Sequence, residues 1–496
     1  MPPTIIRDLS DTSGYWAAVW TMCPMPDVHV ICDAPVGCFN LVATAVPDYT
    51  DSIPHIENIT PATMTETEVG GKGTAEKVRW TYDNLRDQGA INGKRVIVVS
   101  TAESEMIGSD LSDLVQQLGT GTTFYYSNSL AEDEWAGRDR VLRWLYEQYG
   151  HRDTAIDVIP GTVNIIGPTY GCFNSPSDLA ELKRLILGAG GTINLVYPFE
   201  AELAQTPQLA AAQVTIVMYK EFGSGLAEQL GRPFLYAPYG MRETTAFVRE
   251  LGQLLGTSEQ AEAFIAHEKK TTLQAVWDLW RGPQGDWFGT SDVAIVAGRS
   301  HAEGLARYLG DELGMKLAFV ASRPLRPGDL DNEGVRQVLH KRAPAFLFGS
   351  VNERIYLAEA GARFTTFFPA AFPGAAVRRS LGTPFLGYSG AVYLIQEIMN
   401  ALYNVLFNFL PVDAAYGAAR PGAAPPPPPE AAGNMPWQAE ARTLLDSALE
   451  RLPYIPRISA SRQLQMQVEA IARERGIDEI TPELVDEALA TSSVRG

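Results

Sequence analysis

The sequence predicts an α/β protein of three Rossmann-like parallel-sheet domains, followed by a small C-terminal helical module. Three observations predict this. Short β-branched runs recur along the chain, each leading through a small-residue loop into an amphipathic helix. The recurrences fall into three groups, and 496 residues accommodate about three domains of roughly 150 residues. After Leu410 the composition changes abruptly to Ala, Gly and Pro.

The elements follow in order. Val28–Ile31 reads as a short strand, and Arg95–Ser100 (RVIVVS) as a buried one followed by the helical segment Ser109–Leu118. Thr162–Ile166 (TVNII) passes through Gly167, Pro168 and Gly171 into a helix over Ser177–Leu187. There Leu179, Leu182, Leu185 and Ile186 share one face. Ser175 or Ser177 is the expected N-cap, with Pro176 ahead of the first turn. Thr192–Tyr197 (TINLVY) is the next strand. Asp292–Ala297 (DVAIVA), a helix over Ala302–Leu313 and the strand Lys316–Val320 repeat the unit, and Ala345–Phe348 adds a strand. Strands alternating with helices imply parallel sheets covered on both faces. The expected domains are 1–160, 161–290 and 291–412. Residues 413–434, with five prolines at Pro425–Pro429, form an extended linker. In 435–496 an apolar stripe runs through Trp437, Ala441, Leu444, Leu445, Ala448, Leu449 and Leu452, and Thr481–Pro482 starts a last helix.

Composition narrows the function. Hydrophobic residues make up 46% and charged residues 20%, ordinary for a protein with a large core. A formal charge of −18 repels phosphate backbones, so no nucleic acid is expected, and it suits a partner with a basic docking face. The apolar stretch Ala391–Leu410 carries Asn400, Asn404 and Asn408 on one helical face, which argues for a buried helix and against a membrane span. Met1–Asp11 lacks the apolar region of a signal peptide, so a cytoplasmic location is expected.

Four cysteines (Cys23, Cys32, Cys38 and Cys172) make no disulfide framework, and no CxxC or HExxH occurs. A self-contained metal site is not expected. No GxxxxGK[ST] is present to bind ATP, and no GxGxxG follows a first strand to bind a dinucleotide. Cys38 differs from the other three. In VHVICDAPVGC it falls after a strand and a turn, at a loop tip or helix start, where N-terminal amides favour a thiolate and hence iron ligation. A lone cysteine is more often a buried structural residue, which is the reading for Cys32. Glu105, Gly108 and Asp110 follow the strand Arg95–Ser100 and by themselves read as a simple turn.

The order PVGC, then SEMIG (Ser104–Gly108), then NIIGPTYGCFNSPSDLAELKRL (Asn164–Leu185) resembles the nitrogenase superfamily, and within it the Z-type subunits of the chlorophyllide a reductases. SGYWAAVW (Ser13–Trp20), MYKEFG (Met218–Gly223), WDLWRG (Trp277–Gly282), LFGSVNERIYLAEAGAR (Leu347–Arg363) and the stretch Phe372–Glu397 carry it on. The C-terminal module resembles the end of the B-type subunits of dark-operative protochlorophyllide reductases.

The resemblance implies a nitrogenase component 1-like fold and a [4Fe–4S] cluster shared between subunits. Three loops of such subunits can bear cysteines. The middle one is Cys38. The first aligns near Gly14–Trp16 and the third at Ala102, and neither has a cysteine here. A cluster takes about four ligands, so a partner, the Y subunit, is expected to supply the remaining three in a heterotetramer. The implied reaction is ATP-dependent reduction of the C7=C8 bond of the chlorin ring in bacteriochlorophyll biosynthesis. Electrons come from subunit X, an iron–sulfur reductase that carries the ATP-Mg. Tyr15, Trp16 and Trp20 are candidates to line the pigment pocket or the interface, and His301, His267 and Asp286 to donate protons. Two alternatives stand beside this. One is the B-type subunit of a protochlorophyllide reductase, expected to offer an aspartate to the cluster where this chain offers Cys38. The other is a non-catalytic nitrogenase-like cofactor scaffold, expected to keep more cysteines.

With one ligand on this chain, the chain purified anaerobically by itself is predicted to retain no complete [4Fe–4S] cluster after iron–sulfur reconstitution and desalting. A stoichiometric cluster spectrum from the isolated chain would rule out the sharing of ligands.

Overall fold

A computed structural model describes residues 13–49, 56–119, 121–150, 156–276, 285–362, 364–371, 382–409, 435–449 and 454–491. The expected linker 413–434 lies outside the described residues, as do Trp277–Gly282 and 372–381 of the resemblance.

Among the described residues, twelve strands build three sheets, and every pairing within them is parallel. The first holds β1 (Val28–Asp33), β2 (Ile59–Pro61), β3 (Arg95–Ser100) and β4 (Thr122–Tyr125) in the order β2-β1-β3-β4. The second holds β5 (Ile159–Ile166), β6 (Thr192–Tyr197), β7 (Ala212–Val217) and β8 (Phe234–Tyr236) in the order β6-β5-β7-β8. The third holds β9 (Asp292–Gly298), β10 (Lys316–Arg323), β11 (Phe346–Gly349) and β12 (Thr366–Pro369) in the order β10-β9-β11-β12. The α/β class of three parallel-sheet domains is therefore borne out. All residues of β1 are buried, and all but the first of β3, as parallel strands covered on both faces require.

Each sheet reverses its winding between its first and third strands. A crevice consequently opens beyond the carboxyl ends of β1/β3, β5/β7 and β9/β11, where α/β proteins place ligands. One continuous core joins the three sheets and includes Trp20, Leu182, Ile216, Ile295 and Leu394. A separate core, with Leu445, Val468 and Val485, holds the C-terminal helices Ala439–Leu449, Tyr454–Glu474 and Pro482–Thr491 together. The first proline of the last helix stands where the sequence places it. The helix Gly387–Phe409 buries Leu394, Ile395, Ile398 and Met399 and turns Gln396, Asn400 and Asn404 to solvent. Among the described residues no helix is long and apolar enough to cross a membrane.

Two local features depart from a simple reading. The helix Ser175–Gly188 begins earlier than predicted, and its N-cap is Asn174 in the left-handed region rather than Ser175 or Ser177. The Ser177 hydroxyl lies toward Thr383 instead, and Asn174 Nδ2 donates to the Thr383 carbonyl at 2.8 Å, so the cap is tied to a distant segment. The helix Gly14–Met22 packs backbone to backbone on the helix Glu134–Tyr149: a Cβ on Gly137 would stand 2.9 Å from Gly14 Cα. A Cβ on Gly14 would overlap the Ser127 carbonyl oxygen.

Gly14→Ala is therefore expected to destabilise the chain by roughly 3 kcal/mol, the upper end of overpacking costs. Gly37→Ala, which meets nothing within 4 Å, changes stability by less than about 1 kcal/mol. Equilibrium urea unfolding of the two variants checks the contrast.

Candidate functional site

The crevice of the first sheet brings two side chains together. β1 ends at Asp33, and the chain passes Ala34 and Pro35 into the helix Val36–Tyr49, whose third residue is Cys38. β3 ends at Ser100, and Thr101 caps the short helix Ala102–Met106, whose second residue is Glu103. Thr101 locks the two turns to each other: its hydroxyl donates to the Asp33 carbonyl at 2.9 Å, and it forms a reciprocal cap with Ser104. Across this junction the Cys38 thiol donates to Glu103 Oε1 at 3.1 Å.

The electrostatics correct one expectation. Burial, reinforced by the Glu103 carboxylate, pushes the Cys38 thiol up to about 12. The helix start alone does not make it a thiolate; a cation must do that. Cys32, fully buried on β1, is also pushed up to about 12, by burial first. Burial holds the Tyr15 phenol well above its ordinary value, and Cys32 adds to the effect. Burial raises Asp33 to about 6 against the hydrogen bond from Thr74 at 2.9 Å. Below it Glu105 is a structural tie, accepting from Ser100 at 2.8 Å, Ser127 at 2.9 Å and the Leu130 amide at 3.3 Å. Gly108 turns the chain in the left-handed region, and Asp110 accepts from the Ser112 amide at 2.9 Å.

Cys38 is half-buried, whereas Cys23, Cys32 and Cys172 are buried. The two aligned loops, near Gly14–Trp16 and at Ala102, offer no thiol. Gly14 has no room for a side chain, and Ala102 ends in a methyl group. Among the described residues no group of three or more His, Cys, Asp or Glu is placed to hold a metal ion. The donor set therefore fits one corner of a cluster and not a whole one. Apolar side chains stand exposed on the same turns: Val36 and Leu41 flank Cys38 on its helix, Met106 follows Glu103, and the amide of Leu130 is held by Glu105.

Burial sorts the other candidates. Tyr15 and Trp20 are buried in the main hydrophobic core. Trp16 is partly buried, edge-on to Trp20 with ring centroids 5.0 Å apart. His267 is exposed on the helix Ser258–Lys270, and His301 is buried beyond β9. Asp286 belongs to the helix Gly285–Thr290, but its side chain lies outside the described residues. Sequence reasoning missed Glu103. It sits three residues past the end of β3, and only the pairing of β3 with β1 brings it to Cys38.

Comparisons with known proteins bear on the family and the fold. The family described as Nitrogenase component 1 type Oxidoreductase matches residues 13–403. The B-type subunit of the light-independent protochlorophyllide reductase of a Synechococcus species is 25% identical over 92% of this chain and 94% of its own. Its counterpart from Gloeothece citriformis is likewise 25% identical over the same shares. Among solved structures, nitrogenase Cp1 at pH 6.5 superposes with a TM-score of 0.63 over 82% of this chain and 94% of its own, at 15% identity, a likeness of fold.

Cys38 is expected to be alkylated ahead of the three buried cysteines when the isolated chain is treated anaerobically with iodoacetamide. Glu103→Ala removes the charge that raises the thiol, so the thiolate fraction below its pKa rises. A roughly tenfold faster reaction at Cys38 corresponds to one pKa unit. Peptide mass spectrometry reads the rate, and an unchanged rate in Glu103→Ala would remove Glu103 from the thiol's environment.

Proposed function

This chain belongs to the nitrogenase component 1-type oxidoreductases, and on that premise we propose that it is one subunit of the catalytic component of a chlorophyllide a reductase. The reaction is reduction of the C7=C8 bond of the chlorin ring, with electrons from an ATP-dependent iron–sulfur reductase partner. The observation that carries the reading is the half-exposed Cys38 beyond β1, with an apolar margin around it. A closed chain has no use for such a margin. A partner covering it would bury Val36, Leu41, Met106 and Leu130, exclude water and bring the ligands this chain lacks.

Cys38 Sγ, and no other thiol of the chain, is the donor offered to a [4Fe–4S] cluster. Bound there, the cluster supplies one-electron transfer. Glu103 Oε1 already accepts the thiol's hydrogen bond, so it is the nearest base for the proton that leaves Sγ on ligation. Thr101, by joining the two turns, holds Glu103 opposite Cys38. The chain's bulk supports the reading as well. Three parallel-sheet domains match the fold of nitrogenase component 1, whose family works through partner subunits and a separate reductase.

A second reading has its own observation. The 25% identity to the B-type subunits of protochlorophyllide reductases runs nearly end to end in both proteins. On this reading the reduced bond is C17=C18 of protochlorophyllide. Cys38 and the PVGC and NIIGP segments favour the first. Offering both pigments to the reconstituted complex decides between them by which one is reduced.

Cys38→Ala in the anaerobically purified complex is expected to abolish the shared cluster's electronic and EPR signals and to lower pigment reduction at least a hundredfold, roughly the order of loss when an essential group is removed. A variant with the full cluster signal and full activity would overturn the ligand assignment.

A further inference from the structure

Where the second and third sheets meet, the interior is closed and the rim is charged. Inside, the rings of Tyr219 and Phe385 lie 6.2 and 5.6 Å from that of His301, and His301 Nε2 pairs with Asp178 Oδ2 at 3.5 Å. Cations stand next to these residues in the chain. Lys220 follows Tyr219 beyond β7, Arg299 opens the helix Arg299–Ala306 after β9, and Arg326 lies in the turn after β10. β7 and β9 are strands at which their sheets reverse, the places where α/β proteins bind ligands. Ser300 ties the two turns together. Its hydroxyl accepts from the Lys220 amide at 2.6 Å and donates to Glu221 Oε2 at 2.6 Å, and its amide donates to Glu221 Oε1 at 2.9 Å.

Four cations converge on one carboxylate there. Lys220 Nζ donates to Glu303 Oε2 at 3.0 Å, Arg299 Nε to Oε1 at 3.0 Å and Arg326 Nη1 to Oε1 at 2.5 Å, and Arg307 Nη1 stands 3.8 Å from Oε2. Arg307 is held as well by Glu243, and Arg326 by Asp329. Four cations thus face three carboxylates, in a chain whose formal charge is −18. Burial raises Glu221, bonded to Ser300, toward its neutral form. Like charges this close repel, and the surplus cation favours an added anion. Donors for it are at hand. Arg299 Nη1 and Nη2 and Arg326 Nη2 make no hydrogen bond among the described residues, and these side chains are 45% and 40% exposed. A guanidinium with two free N–H groups takes a carboxylate through two parallel bonds. A surplus of one matches a carboxylate better than the two charges of a phosphate. Apolar surface adjoins the cations. Lys220 Nζ lies 5.7 Å from the centre of the exposed Tyr236 ring, and the exposed Leu325 precedes Arg326. The ligand that fits is an acid with an apolar body.

We propose that Arg299, Arg326 and Lys220 bind the propionate carboxylate of the chlorin substrate, with Tyr236 and Leu325 against its apolar body. The proposal rests on the reductase reading above and adds to it the point at which this chain holds the pigment by its acid. Both pigments weighed there carry such a side chain. Glu303 does not touch the pigment; it gathers the three cations and is a positioning residue. Esterifying the propionate removes its charge, which leaves the guanidinium donors and the surplus cation unanswered. The site therefore selects the acid over the ester.

Steady-state kinetics of the intact complex with the free-acid pigment and with its propionate methyl ester test this. In the parent, esterification should raise KM by roughly tenfold, the scale of one charge-assisted contact, with kcat unchanged. Arg299→Gln and Arg326→Gln should each raise KM for the acid and leave KM for the ester as it was, so that the preference for the acid shrinks. A merely structural role would impair acid and ester alike, and that result would overturn the site. Equal KM values for acid and ester in the parent would overturn it without any variant, as would a loss confined to kcat. A parent complex that reduces neither pigment indicts the functional reading instead. Quenching of pigment fluorescence on binding then still compares acid with ester, and equal affinities would overturn the site by themselves.

Discussion

The structure depends on the reversal of strand order within each parallel sheet. A parallel sheet must be covered on both faces, and its right-handed crossovers can wind only outward from one point. In the order β2-β1-β3-β4 that point lies between β1 and β3, and the other two sheets repeat the arrangement. At each such point two segments of chain leave the sheet side by side and turn away in opposite directions. The backbone there is crowded, its polar groups are shared between turns, and side chains distant in sequence meet. Cys38 and Glu103, 65 residues apart, are in contact for this reason. So are Asp178 and His301, which belong to different sheets.

The two meeting places have opposite characters. In the first sheet the crevice opens to the outside, with a half-buried thiol, a carboxylate and exposed aliphatic side chains. Between the second and third sheets it is closed, and aromatic rings and an Asp–His pair fill it. The open crevice offers one soft donor, Cys38, and no group of three or more His, Cys, Asp or Glu among the described residues is placed to hold a metal with it. The same fold thus presents one crevice open to the outside and one closed within the core.

Much of the fold was legible in the sequence because the inner strands of parallel sheets are buried on both faces and write themselves as apolar runs. RVIVVS, TVNII and DVAIVA are such runs, and the structure extends TVNII back to Ile159 and DVAIVA on to Gly298. Of the six edge strands, β6 and β10 were legible and the other four were not. β2 and β8 have three residues, and β4 and β12 have four, too short for a periodic signal and only partly buried. β7 is buried, but the alanine-rich turn Leu203–Ala211 before it blurs its start. At the site, Cys38 was legible because its residue type and loop position are both unusual. Glu103 and Tyr219 were not, since an acid in a first turn and an aromatic after a strand are commonplace, and only the sheet order gives them neighbours.

The proton affinity of Cys38 sets the chemistry available in the open crevice. An isolated thiol held near 12 by burial and by Glu103 is a poor ligand and a poor nucleophile. That protects a half-exposed cysteine while the chain is alone. The same carboxylate therefore helps keep a half-exposed thiol protonated and unreactive. A helix start without Glu103 would have left a more reactive thiol on an open apolar surface, and Ala102 beside it ensures that no second thiol stands near enough at that turn to form a disulfide with Cys38.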